Sequence, residues 1–83
     1  MTTEELKLKT QNVVLELLPH VDSQKLTSDQ DIFYLGLNSI NAMTLIFNLQ
    51  EIFGITFNDA EISFDNFRTI DDIVQLIDQK TQV

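Results

Sequence analysis

Few side chains in this sequence can do chemistry by themselves. His20 is the only histidine, and cysteine is absent. Disulfides, thiolate metal sites and a cysteine nucleophile are therefore excluded. A zinc site cannot be assembled from a single imidazole. His20 follows Pro19 at the expected end of a helix, where a solvated or dipole-stabilised imidazole is the ordinary role. Asp29-Gln30-Asp31 opens like a calcium loop. Its sixth position is Tyr34, where glycine is required, and its twelfth is Ile40, where a bidentate glutamate is required. Asp59-Ala60-Glu61 fails in the same way, with Ile70 at the twelfth position. No metal site is expected. There is no glycine-rich phosphate loop. Asp71 and Asp72 are adjacent, so on a helix they point to different sides and cannot share one substrate.

The remaining candidate is Gly36-Leu37-Asn38-Ser39-Ile40. A glycine turn delivers a serine to the start of a helix, after an apolar loop and before an apolar helix. Serine fills a helix N-cap well, and capping is one role open to Ser39. The same place suits a second role. A hydroxyl there lies among free backbone N–H groups at the positive end of the helix dipole, so a phosphodiester attached to it is electrostatically favoured.

The elements that must hold this serine are helical. Only two glycines and one proline occur, which argues against a sheet-and-turn architecture. Thr2-Thr3-Glu4-Glu5 fits a capping box and starts the first helix near Thr2. Leu6, Val13, Val14, Leu17 and Leu18 recur at helical spacing, and Pro19 stops the ladder just after them. Residues 19–38 form a long connection. Its Val21, Leu26, Ile32, Phe33, Leu35 and Leu37 predict a loop pinned onto a core, and long ordered loops in compact domains are often functional. The second helix is expected over Ser39–Phe53, with Gly54 as its stop. Residues 57–67 should hold one short, irregular helix anchored by Ile62, Phe64 and Phe67. The last helix opens at Thr69-Ile70-Asp71-Asp72, a second capping-box pattern, and Ile70, Ile73, Val74 and Ile77 form its apolar stripe. The reading is an all-α fold: a small four-helix bundle of three longer helices and one short one, with a long loop between helices one and two.

The chain has 83 residues and is expected to be a single domain over 1–83. A chain this short builds a small core and has no volume for a deep catalytic cavity with a supporting shell. That favours a binding or carrier module over an enzyme. Thirteen acidic residues against five basic ones give a net charge of −8. Nucleic acids and anionic membranes are therefore poor partners, and partners with basic docking patches are favoured. The acidity also keeps a small protein soluble. No positively charged, apolar leader opens the sequence, and no apolar run approaches the ~18 residues a membrane span needs. The expected compartment is the cytoplasm. A sequence this short with its own Met1 reads as a discrete, monomeric protein, with a module of a larger synthase as the alternative.

At Leu35-Gly36-Leu37-Asn38-Ser39-Ile40 the sequence resembles the acyl and peptidyl carrier protein family. The family pattern is an apolar residue, Gly, any residue, Asp, Ser, then Leu or Ile, at the start of the second of four helices. The stretch Leu45-Ile46-Phe47-Asn48-Leu49-Gln50-Glu51-Ile52-Phe53-Gly54-Ile55 and the stretch Phe67-Arg68-Thr69-Ile70-Asp71-Asp72-Ile73 are also similar to the family, so the resemblance covers nearly the whole chain. It implies that Ser39 takes 4′-phosphopantetheine from coenzyme A through a separate phosphopantetheinyl transferase, flanked by Gly36, Leu37, Asn38 and Ile40. The terminal thiol of the arm then holds an acyl or aminoacyl group as a thioester. The reactive thiol is imported, and the protein supplies position and recognition. By this resemblance the chain is not an enzyme. One departure is plain: Asn38 stands where the family usually has aspartate. Asparagine keeps the shape and the capping ability but not the charge. This implies slower modification by the common transferases, a dedicated transferase, or a serine left unmodified. In the last case the chain would be a helical adaptor without the prosthetic group.

Family members dock their partners with the helix face that starts at the serine, which here corresponds to Ile40, Met43, Thr44, Phe47 and Glu51. In fatty-acid carriers this face is rich in acids, whereas here Glu51 is the only acid on the helix. Leu45, Ile46, Leu49, Ile52 and Phe53 are expected to fill the core, leaving Met43 and Phe47 for exposure. An exposed apolar strip would mark a partner site. Such a face is similar to carriers of nonribosomal peptide or mixed polyketide pathways. The alternative is a carrier of fatty-acid or polyketide synthesis. Leu37-Asn38-Ser39, with Phe64-Asp65-Asn66-Phe67-Arg68-Thr69-Ile70, also resembles free-standing carriers of a single amino acid, such as the prolyl carriers of small-alkaloid pathways. The partners implied are the transferase, an adenylating or acyl-loading enzyme, and downstream synthase or tailoring enzymes.

Overall fold

The computed structural model describes residues 2–81. Four helices follow in order: α1 (Thr3–Leu17), α2 (Ser39–Phe53), α3 (Phe64–Phe67) and α4 (Ile70–Thr81). No strand occurs among the described residues, in agreement with the all-α reading. The first helix starts as its capping box requires. Thr2 is the N-cap and its hydroxyl accepts the Glu5 N–H at 3.2 Å. α1 ends at Leu17, and Leu18 closes it with its N–H on the Leu15 carbonyl. α2 ends in a Schellman turn: Gly54 is left-handed (φ +64°), and the Ile55 N–H bonds the Gln50 carbonyl at 3.1 Å. Thr69 opens α4, its hydroxyl accepting the Asp72 N–H at 3.0 Å.

α1 packs against both α2 and α4, and α3 packs against α4. The shared core is Val13, Val14, Leu18, Leu45, Leu49, Ile70, Ile73 and Ile77, all essentially inaccessible to solvent. Full burial of each such side chain contributes about 1.5–3 kcal/mol. Thr10 is also fully buried, and its hydroxyl has no hydrogen-bond partner. Such an orphaned group costs about 1–3 kcal/mol.

The long first loop is part of this core. Ile32 is completely buried, Leu26 and Leu37 nearly so, and Val21, Phe33 and Leu35 pack against them. Backbone bonds tie the loop to the far end of the chain: Ile32 N–H to the Arg68 carbonyl at 2.9 Å, and Asp71 N–H to the Ser28 carbonyl at 3.0 Å. Arg68 Nε also meets Asp31 Oδ2 at 3.2 Å. Asp31 Oδ1 accepts the Phe33 and Tyr34 N–H groups, so this carboxylate is spent on holding the loop.

Residues 57–67 hold one short helix, as the sequence predicts, but it is confined to Phe64–Phe67, and two of its three expected anchors are not buried. Asn58 and Glu61 close a single turn by exchanging backbone-to-side-chain bonds, at 2.9 Å and 3.0 Å, and α3 is then only four residues long. Phe67 is an anchor, set edge-on against Phe57 at 5.2 Å. Ile62, just before α3, and Phe64 are exposed instead; a four-residue helix can bury only one side of itself, and Phe67 takes it. Ile52 is also exposed, at 48%, where a core position was expected. Phe53 remains partly buried against the core.

Candidate functional site

A single helical turn in the first loop leads to the serine. The Leu35, Gly36 and Leu37 N–H groups bond the carbonyls of Asp31, Phe33 and Ile32. Gly36 sits at φ +118°, a conformation that L side chains rarely adopt. Leu37 then anchors the chain by inserting into the core at 4% exposure.

The cap of α2 is Asn38, not Ser39. The Asn38 side chain accepts the Asn41 N–H at 2.8 Å, so Ser39 is the first helical residue. This division of roles follows from the local backbone. Asn38 is extended (φ −107°, ψ 179°) as an N-cap must be, while Ser39 already has helical geometry. The Ser39 side chain is therefore not used by the helix, and it is exposed. Capping by Asn38 satisfies the Asn41 amide and leaves the amides of Ser39 and Ile40 available to a ligand. The first turn of α2 contains no acid, whereas α1, α3 and α4 each open with at least one. A covalently held phosphodiester fits this end: a free hydroxyl, adjacent free N–H donors and no acid in the helix's own first turn.

Ser39 also lies on the rim of an apolar cavity of about 250 Å³ between α2 and the α3 region, shared with Phe33, Ala42, Met43, Ile46 and Phe64. Its only side-chain hydroxyls are those of Ser39 and Ser63. Phe33 and Phe64 meet across it with ring centroids 5.0 Å apart, and the Arg68 guanidinium lies 5.9 Å from the Phe64 centroid.

The other residues singled out in the sequence fall on one surface. Ile40 is 77% exposed, Met43 54% and Phe47 60%, and Thr44 and Glu51 are exposed beside them. Leu45, Ile46 and Leu49 occupy the opposite, buried side. Two features escaped the sequence reading. Ile62 and Phe64 extend the apolar surface beyond α2 and border the same cavity. The second feature was legible in the sequence: residues 32–50 carry no charged side chain, in a chain of which 22% is charged. The serine and its surroundings are thus neutral ground on an acidic molecule.

The family model described as "Phosphopantetheine attachment site" matches residues 9–77. An acyl carrier protein of Kocuria rhizophila is 35% identical over 78 residues, a span covering 94% of this chain and 79% of that protein. The fold is similar to a chain in the crystal structure of the Bradyrhizobium japonicum glycine:[carrier protein] ligase complexed with glycylated carrier protein. There the TM-score is 0.76 at 18% identity, covering 86% of this chain and 96% of that one. At that identity the likeness speaks for the fold alone. The matched family span and the identity to a curated carrier place the chain in the phosphopantetheine-binding acyl carrier family: it is a carrier protein, not an enzyme, whose cofactor is a covalently attached 4′-phosphopantetheine.

Proposed function

We propose that Ser39 is the attachment point of the arm, and that the chain carries aminoacyl or acyl thioesters in nonribosomal peptide or mixed polyketide biosynthesis. The observation that carries the reading is the free, exposed Ser39 hydroxyl on a helix that Asn38 already caps. The arm, when bound, supplies the thiol that forms the thioester. The protein's own contribution is to hold Ser39 Oγ at the N-terminus of α2 and to offer the surface around it for recognition.

That surface supports the pathway class. Ile40, Met43 and Phe47 form an exposed apolar strip with Thr44 and Glu51 at its side, and no basic residue lies on α2. In this reading the phosphopantetheinyl transferase, an adenylating or acyl-loading enzyme and the downstream synthase dock there in turn. The protein acts as a cytoplasmic monomer. The solved neighbour is a glycylated carrier bound to its ligase, which is consistent with a single amino acid as cargo. A second reading, acyl carriage in fatty-acid or polyketide synthesis, is favoured by one feature: the apolar cavity at Ser39 is lined to take a hydrocarbon chain. The Kocuria relative bears the name of an acyl carrier.

Incubation with coenzyme A and a broad-specificity transferase should add one phosphopantetheine by intact mass, and Ser39→Ala should abolish the gain. A gain that survives Ser39→Ala would falsify the attachment point. The two cargo readings separate by amide NMR of the loaded protein. A simple acyl chain entering the cavity shifts Ala42 and Ile46. An aminoacyl group leaves them unmoved, because burying its ammonium among apolar side chains is too costly.

A further inference from the structure

We propose that His20 is a positioning residue for transfer of the arm to Ser39, an inference that rests on the attachment point proposed above. His20 contacts the backbone turn that delivers the serine, so its effect on Ser39 is exerted through that turn. Its Nε2 lies 2.9 Å from the Leu35 carbonyl oxygen. A carbonyl only accepts, so Nε2 carries the proton and donates. The ring also covers Gly36. A Cβ at that position would lie 3.3 Å from His20 Cε1 and 3.4 Å from Nε2, so the imidazole occupies the space a side chain there would need.

His20 is itself held in place. Leu18, Pro19, His20 and Val21 form a turn closed by the Val21 N–H on the Leu18 carbonyl at 3.0 Å. Pro19 occupies the second position of that turn, where its fixed φ is preferred. Leu18 is 1% exposed and anchors the turn in the core. A second tie lies beside the first: Asn41 Nδ2 donates to the Leu17 carbonyl at 3.2 Å. The end of α1 thus grips the chain on both sides of Ser39, at Leu35 before it and at Asn41 after it. Among the described residues, no other side chain is shown hydrogen-bonded to the backbone of Leu35, Gly36 or Leu37.

This grip matters for the transfer. Ser39 Oγ forms a bond to phosphorus as a P–O bond of the coenzyme A diphosphate breaks. The hydroxyl proton passes to a base of the transferase, and adenosine 3′,5′-bisphosphate leaves. The carrier's part is to present Oγ in line, and small misplacements of a reacting atom are expensive in rate. His20 exchanges no proton in this step.

The test compares wild type, His20→Ala and His20→Gln, whose side-chain amide nitrogen can replace the Nε2–H donor. Transfer rates are measured by intact mass at saturating coenzyme A with carrier concentration varied, alongside amide hydrogen exchange. His20→Ala should lower kcat on the order of 10-fold. It should also speed exchange at Gly36 and Leu37 while leaving the amides of α1 and α4 protected. His20→Gln should restore most of the rate. Equal rates for His20→Ala and wild type overturn the inference, as does a His20→Gln variant as slow as His20→Ala. So does a rate loss accompanied by equal loss of protection throughout α1 and α4. A wild-type chain that gains no mass overturns the Ser39 attachment reading, and the inference with it.

Discussion

At the scale of single residues, Asn38 and Ser39 divide two tasks that one serine would otherwise combine. Asn38 secures the helix, which leaves the Ser39 hydroxyl free. Asn38→Ala should therefore cost about 1 kcal/mol in urea denaturation, the usual loss on removing a good cap. Asn38→Asp should keep the cap and match or exceed wild-type stability, since a carboxylate at this end meets the positive pole of the helix. With a transferase that ordinarily modifies carriers having aspartate before the serine, Asn38→Asp should raise kcat/KM above wild type. An unchanged or lower value would show that such a transferase does not read the charge here. Neighbouring Gly36 is fixed by a different constraint, its positive φ together with the imidazole packed over it.

α2 is the element on which recognition turns. A helix apolar all round is ordinarily buried on every side. This one is buried only through Leu45, Ile46 and Leu49, because α1 covers one flank while α3 packs on α4 and leaves the other flank open. Ile40, Met43 and Phe47 therefore stay in solvent, three or four residues apart on one stripe. Phe47→Ser should leave the urea midpoint nearly unchanged, as exposed substitutions usually do. It should weaken binding of the loading enzyme on the order of 10-fold, the usual scale for an apolar anchor at an interface. The wild-type affinity should change little between low and high salt, because the stripe has Glu51 as its sole charge. A steep salt dependence would place the docking face elsewhere.

At the scale of the whole molecule, distant segments are clamped by a few ties. The clearest is Lys80 in α4, whose ammonium donates to Glu61 Oε1 at 2.7 Å and lies 5.8 Å from the Phe57 ring centroid. Gln50 of α2 joins the same region by accepting the Phe57 N–H at 2.9 Å. The hydrogen bond from Lys80, and then that from the Asn58 amide, hold the Glu61 carboxyl below its usual value of 4.5. A lowered acid contributes stability that is present above the unfolded value and is lost as pH falls through the folded one. Glu61→Gln should therefore be less stable than wild type at pH 7. The difference should shrink below pH 4.5 and vanish once Glu61 protonates in the folded chain. Urea midpoints measured against pH check this, and a difference that persists at low pH would assign it to packing instead.

The sequence by itself determined the four helices in outline, the caps at Thr2 and Thr69, and the loop that reaches the core. Those features depend on local chemistry: Thr2 and Thr69 as caps, Gly54 as a left-handed stop, Pro19 as a breaker, and apolar residues at helical spacing. It also determined the family, whose signature lies in a few contiguous residues around Ser39. Beyond Met43 and Phe47, only the tertiary structure decided which apolar residues remain outside. Ile52, Ile62 and Phe64 have the same side-chain chemistry as their buried neighbours, and their exposure depends on where the short α3 ends and on what α4 covers. The place of His20 was hidden for the same reason. Fifteen residues separate it from Leu35, and only the packing of the loop on the end of α1 brings the imidazole onto the turn that carries Ser39.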